Sequence, residues 1–392
     1  MTPMRVGIDF RPALYNATGI GRYVRELVRG LIEHNFGGNL GLFGYTLAGA
    51  RFSRAELGLD TASPGGPAPE LVRLRWPSKA LPWLLAKTGK GVDDLVGGCQ
   101  VYHHTQYVRL AVRQALEVAT IHDCLYLKDA DYVDARSAER MAATARELTK
   151  NAKRILVPSE FVGAEVVLHF GVWPAQVTVT PLGCDHLARA LPPGGFPPAK
   201  EPYVLTVARV DNRKNHVRML AAFERLVKEG LPHRWVIAGP RGHGAEHFER
   251  ALSNSPASGR VEWRRDVSEA ELPQLYAQAD LFLFASLGEG FGLPPLEAMV
   301  AGAPVVTSSI TSLPEVCGDA AWYVEPTDPE RIFEAARRLL VERELRSELV
   351  TKGRARARQF TWRETARQTL LAYQKATEPV AADDHDKLRR SL

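Results

Sequence analysis

Two glutamates eight positions apart, Glu289 and Glu297, flank a glycine-rich turn in the segment Ala285-Ser-Leu-Gly-Glu-Gly-Phe-Gly-Leu-Pro-Pro-Leu-Glu-Ala-Met-Val-Ala-Gly-Ala-Pro304. Gly288, Gly290 and Gly292 fall inside the turn, and Pro294 and Pro295 follow it. The preceding run, Asp280-Leu-Phe-Leu-Phe-Ala-Ser286, is apolar throughout and reads as a strand buried on both faces. The prolines suit the first turn of a helix, where a missing N–H costs nothing. This order predicts strand, glycine loop and helix N-terminus, with Glu289 in the loop and Glu297 about a turn into the helix. Such a loop offers backbone N–H groups and a positive dipole end to an anion. A carboxylate on either side can accept hydrogen bonds from hydroxyls flanking that anion. Hydroxyls on both sides of a phosphate describe a nucleotide sugar.

The elements that must position these groups alternate along the chain. Strands are expected at Val6–Phe10, Leu40–Thr46, Leu71–Leu74, Gln100–His103, Val118–Ile121 and Arg154–Val157, with helices over Gly21–Glu33, Ala135–Thr149 and Glu160–His169. The segment Ala188–Pro202 then interrupts the pattern with five prolines and reads as a linker. After it the alternation restarts, with strands at Tyr203–Ala208, Trp235–Ala238, Val261–Trp263, Leu281–Phe284 and Val305–Thr307. Two strand–helix runs predict an α/β protein of two doubly wound, Rossmann-like parallel-sheet domains facing a central cleft, with ligands at the carboxyl ends of the strands.

A length of 392 residues suits two cores rather than one. The composition, 45% hydrophobic and 24% charged, is that of a globular chain without low-complexity tracts. The net charge of +5 reads first as a solvated surface and gives no reason to expect nucleic acid. Cys99, Cys124, Cys184 and Cys317 are scattered and form no C-x-x-C pair, which points to buried thiols in a reducing, cytoplasmic setting. Arg5, Asp9 and Arg11 interrupt the first apolar run, so no secretion signal is expected, and no run approaches the roughly 20 apolar residues of a membrane span.

The segment E-G-F-G-L-P-P-L-E-A-M followed by A-G-A-P-V-V resembles the E-x7-E motif of the family-four retaining glycosyltransferases, which have the GT-B fold. Five further segments match in order: Thr18-Gly-Ile-Gly-Arg-Tyr23, Thr120-Ile-His-Asp123, Val157-Pro-Ser-Glu160 with Thr180–Asp185, Val207–Asn215, and Leu313–Val316. Ala208 and Cys184 depart from the family's common residues, and Arg264 and Arg265 stand where the family usually has a glycine among large apolar residues, a departure that bears on recognition of the base.

The resemblance implies site roles residue by residue. Glu297 would hold the ribose hydroxyls and Glu289 the ring hydroxyls of the sugar, together with backbone groups of Gly290, Phe291, Gly292 and Leu293. Val267 would lie beside the base. Arg209 and Lys214 would hold the diphosphate and stabilise its charge as it leaves, so that no metal and no cofactor are required. Asp211 and Arg213, in the same turn, read as surface residues. His122 follows an apolar strand and would sit beside the donor sugar. Gly19 and Gly21 read as loop residues preceding the first helix. Val24 occupies the third glycine position of a dinucleotide fingerprint, which argues against an NAD reading.

The same resemblance implies an acceptor-binding domain over 1–187, a linker over 188–202 and a nucleotide-sugar domain over 203–361. A helix near 362–378 is expected to pack back on the first domain, and 379–392 is expected to form a flexible tail. The expected activity is transfer of a hexosyl group, mannose from GDP-mannose as first choice, to a saccharide or lipid-linked saccharide, in polysaccharide or lipopolysaccharide synthesis. The alternatives are a nucleotide-sugar-binding protein without turnover and, remotely, a zinc hydrolase using His243, Glu246 and His247. Asp129-Ala-Asp131 spells a D-x-D but follows a loop rather than a strand end. Lys79–Lys87, with Lys90 beyond, reads first as a core-packing helix and second as a peripheral contact with the inner face of a membrane.

Overall fold

The computed structural model describes residues 4–15, 19–47, 51–59, 67–77 and 80–378. Thr18, Lys79 and the expected tail over 379–392 lie outside these residues.

Seven parallel strands form the first sheet: β1 (Val6–Asp9), β2 (Leu40–Tyr45), β3 (Glu70–Leu74), β4 (Val101–His104), β5 (Leu116–Thr120), β6 (Arg154–Val157) and β7 (Val177–Val179). Their spatial order is β3-β2-β1-β4-β5-β6-β7. Six parallel strands form the second: β8 (Tyr203–Val207), β9 (Arg234–Ala238), β10 (Val261–Arg264), β11 (Leu281–Phe284), β12 (Val305–Ser308) and β13 (Trp322–Val324), in the order β10-β9-β8-β11-β12-β13. Each order reverses once, between β1 and β4 and between β8 and β11, so each sheet has one switch point for a ligand.

The central strands show why their sequences are apolar without alternation. In β11, Leu281 and Leu283 join one core cluster while Phe282 and Phe284 join the cluster on the opposite face. Both faces are covered by helices, and each such side chain contributes roughly 2 kcal/mol through burial. The strands β7 and β13, each of three residues at a sheet edge, are too short to stand out in a search for such runs.

The Trp362–Thr377 helix crosses back to the first domain. Trp362, Ala366 and Tyr373 pack in the cluster that holds Val6, Leu27 and Val28, and the Tyr373 hydroxyl lies 2.7 Å from His103 Nδ1 in that core. The Leu81–Thr88 helix buries Leu81 and Leu85 but leaves Trp83 61% exposed, with Lys87 Nζ 5.0 Å from its ring. No helix among the described residues is long and apolar enough to cross a membrane. All four cysteines are free.

Candidate active site

Past the end of β8 the chain makes a 3-10 turn, Asn212–Lys214, held by the Asp211 carboxylate, which accepts from Lys214 N at 3.0 Å. Asn215 follows at φ 63 and opens the His216–Lys228 helix. The loop after β11 lies against this turn. Lys214 Nζ donates to Glu289 Oε1 at 2.6 Å, and Arg213 donates to Glu289 Oε2 at 3.2 Å and to the Gly288 carbonyl at 2.5 Å. Arg213 is therefore turned onto the loop rather than into solvent, while Asp211 is half-buried and caps the turn. The turn is tied to the loop by its backbone as well, since Leu287 N donates to the Arg213 carbonyl at 2.8 Å.

Burial alone would push the Glu289 carboxyl above its ordinary value, but Lys214 and Arg213 hold it below. Burial and the neighbouring Arg213 lower the Lys214 ammonium pKa, with Glu289 opposing them. Arg209 sits apart, exposed at the strand end, and its side chain makes no hydrogen bond or ion pair among the described residues. The structure thus brings Lys214 to Glu289 and leaves Arg209 open.

Gly290 marks where the two domains touch. A Cβ there would stand 2.1 Å from the His122 carbonyl, and the Gly290 carbonyl accepts from Ser159 Oγ at 2.7 Å. Gly292 adopts φ 112, which only glycine takes without strain, and starts the Leu293–Ala301 helix with prolines in its first turn. Phe291 is buried against Phe360, while Leu293 and Val267 are half-buried at the edge of the same core. Glu315, from the second domain, accepts from the backbone N–H groups of Glu160 and Phe161 at 2.8 and 3.1 Å, capping a helix of the first domain.

His122 lies just past β5. Its Nε2 is 2.9 Å from the Thr105 carbonyl, which can only accept, so Nε2 carries the proton and Nδ1 has the lone pair. Burial lowers its pKa, keeping the ring neutral. Tyr23 meets it edge-on, with ring centroids 5.0 Å apart.

Glu297 is closed in by protein donors. Arg22 Nη1 lies 2.5 Å and His186 Nε2 2.9 Å from Oε1, and the Tyr276 hydroxyl donates to Oε2 at 2.7 Å. Trp362 Nε1 donates to His186 Nδ1 at 3.0 Å, which fixes the proton on the Nε2 facing the carboxylate. Burial opposes ionisation, yet Arg22 and His186 hold the Glu297 carboxyl down to about 2.

Gly19, at φ 56, precedes the Ile20–Glu33 helix and has open space beside it, as a loop residue should. Gly21 does not: it is buried within that helix, which starts as soon as Gly19 has turned the chain. The neighbouring Arg22 is the residue that crosses to Glu297.

Sequence reasoning missed Arg22, His186, Tyr276, Arg213, Ser159 and Glu315. Arg22, Ser159, Arg213 and Glu315 lie inside the matched segments and His186 directly follows one, but their partners lie in distant segments, and residue type gave none of them a role beyond a surface one for Arg213. The His243-x-x-Glu246-His247 segment is no zinc motif here. His243 lies before the Ala245–Ser253 helix, Glu246 pairs with Arg241 at 3.3 Å, and no three His, Cys, Asp or Glu among the described residues converge as a metal-holding group.

Comparison with known proteins accounts for both halves of the chain. The description "Glycosyltransferase Family 4" matches residues 17–186, and "Glycosyl transferases group 1" matches residues 191–356. The O-antigen chain mannosyltransferase B of Escherichia coli is 30% identical over 380 residues, spanning 94% of this chain and 99% of that protein. Among solved structures, sucrose-phosphate synthase from Thermosynechococcus elongatus superposes with a TM-score of 0.70 at 21% identity, covering 95% of this chain and 98% of that one. The Anabaena protein Alr3699/HepE, in complex with UDP and glucose, gives a TM-score of 0.71 at 15% identity, covering 95% and 99%. These two show the fold, which is GT-B.

Proposed function

The chain belongs to the group 1, family-four glycosyltransferases, and on that premise we propose that it moves a mannosyl group from GDP-mannose to a hydroxyl of a saccharide or lipid-linked saccharide, with retention at the anomeric carbon. The mannosyl assignment draws on the relative named above. The role is in the synthesis of a cell-surface polysaccharide.

The observation that carries this reading is the cation–carboxylate cluster at the second switch point, Lys214 Nζ at 2.6 Å from Glu289 with Arg209 open at the adjacent strand end. A donor diphosphate entering there is met by Arg209 at once. Lys214 then shares its N–H groups between the phosphate and Glu289, whose other oxygen keeps Arg213. Glu289 accepts from ring hydroxyls of the sugar. As the C1–phosphate oxygen bond breaks, negative charge grows on the leaving diphosphate, where Arg209 and Lys214 stabilise it. The acceptor oxygen forms the new bond to C1 from the same face, and its proton passes to the departing phosphate oxygen. The neutral His122 lies beside the sugar and contributes polarity without charge. Glu297 takes the ribose hydroxyls, and this requires Arg22 to yield part of its hold. The fixed cations do the work that a metal does in other glycosyl transfers, so the reaction needs none.

The chain acts at the inner face of the cytoplasmic membrane in this reading, with exposed Trp83 and neighbouring Lys87 as a peripheral contact. The test is release of GDP from GDP-mannose, measured first as slow hydrolysis and then with mannosides as acceptors, beside UDP-sugars as competitors. Binding of nucleotide sugar with no release, with or without acceptor, would reject transfer in favour of simple binding.

A further inference from the structure

We propose that the cleft contains a separate acceptor-saccharide subsite, where the 129–132 segment of the first domain faces the starts of the His216–Lys228 and Ala245–Ser253 helices of the second. The proposal rests on the glycosyltransferase reading above. A cavity of about 560 Å³ lies there, with Asp129, Asp131 and Tyr132 on one wall and Arg218, His247 and Arg250 on the other. That volume is within the roughly 300–1,000 Å³ usual for small-molecule sites. Asn212 Nδ2 reaches the Asp131 carbonyl at 3.4 Å, so the walls meet at one end and the cavity is a product of domain closure.

The chemistry of the walls selects the ligand class. An anion would meet Asp129 and Asp131, and a cation would meet Arg218 and Arg250. A neutral polyol suits both, since carboxylates accept from its hydroxyls and guanidinium groups donate to its oxygens. Tyr132, half-buried, and His247 add flat faces on which a pyranose ring can lie. These groups are available. The side chains of Asp131, His247 and Arg250 and the Tyr132 hydroxyl make no hydrogen bond or ion pair among the described residues. The D-x-D and part of the H-x-x-E-H segment, neither used by the donor site, meet here without forming a metal group.

None of the side chains assigned to the donor, Arg209, Lys214, Val267, Glu289 and Glu297, lines the cavity, which instead meets the outer side of the Asp211–Asn215 turn. It adjoins them all the same. Leu287 lines it, and Leu287 N is bonded to the carbonyl of Arg213, whose guanidinium holds Glu289. A saccharide lodged there lies against the backbone turn that carries Lys214.

Saturation-transfer NMR with mannotriose on the full chain plus GDP, together with initial rates from GDP-mannose, tests the assignment. The variant Tyr132→Ala/Arg250→Ala removes two side chains that make no hydrogen bond or ion pair among the described residues. Mannotriose should receive saturation from the native chain and lose it in the variant, and its KM as acceptor should rise about tenfold or more. Acceptor-free hydrolysis of GDP-mannose should stay within about twofold, because the donor site is untouched. An unchanged acceptor KM with hydrolysis intact, or no saturation transfer to mannotriose in the native chain, would overturn the subsite. Failure of the native chain to release GDP or UDP from any nucleotide sugar would overturn the parent reading, and the subsite with it.

Discussion

Arg22 and Glu297 are 275 positions apart in the sequence, yet the guanidinium of one lies 2.5 Å from the carboxylate of the other, bridging the two domains. The glutamate that the sequence assigns to a ligand is held in this state by Arg22, His186 and Tyr276. Arg25 adds a parallel contact to Glu269 at 2.5 Å. On the proposed reading, donor binding and domain closure act on one carboxylate.

Replacing Arg22 by Met leaves Glu297 buried with only neutral donors. Losing one partner of a buried pair costs on the order of 3 kcal/mol. The melting temperature should fall, and small-angle scattering of the ligand-free chain should show a wider envelope. An unchanged envelope would mean that this pair does not hold the cleft.

Lys214→Ala should lower the rate of sugar transfer by about two orders of magnitude, through loss of a fixed cation at the leaving group. Stability should drop by only about 2 kcal/mol, because Arg213 still holds Glu289. Retention of full transfer rate in this variant would reject the diphosphate assignment.

Arg213→Ala removes both the Glu289 ion pair and the bond to the Gly288 carbonyl. Here the expected loss is structural, roughly 3 kcal/mol in urea unfolding, with weaker donor binding because the loop that presents Glu289 loses its tether. A variant as stable as the native chain would show the turn to be held by other bonds.

Gly290→Ala places a methyl group 2.1 Å from the His122 carbonyl, a contact that no rotamer relieves. Each domain should still fold, but closure should be blocked. Misalignment of about 1 Å can cost on the order of a hundredfold in rate. Nucleotide affinity should fall far less than turnover, which calorimetry and kinetics on the same sample can compare.

Acid should loosen the domain contact through Glu297. Its folded-state pKa is depressed, from 4.5 to about 2, so the stabilisation is complete above the unfolded value and disappears as pH falls through that window; the shift corresponds to roughly 3 kcal/mol. Trp362, bonded to His186 beside this carboxylate, should report the change in its fluorescence between about pH 5 and pH 2 in the native chain and much less in Glu297→Gln. An equal response in both would assign the acid transition to other groups.

The two-domain architecture was readable because parallel strands covered on both faces must be apolar at every position, as in Leu281–Phe284. The glycine loop was readable in part for a similar reason, since Gly292 at φ 112 meets a local demand on backbone angle that other residues take only with strain. Arg213 was not. A basic residue in a turn looks the same whether it points to water or folds onto Glu289, and the packing of the distant 287–289 loop against the turn decides which. Gly21 was misplaced because the end of a glycine loop and the start of a helix differ by one residue's dihedral angles.

By itself the sequence determined which segments form the central strands and where the main loops turn, because these follow from local periodicity and residue type. Tertiary structure alone decided who faces whom. Arg22 with Glu297, Gly290 with the His122 carbonyl, and Glu315 with the helix start at Glu160 are pairings between distant segments, and they arise only when two sheets close on one another. Such contacts depend on the relative placement of whole domains, and no short-range pattern along the chain encodes it.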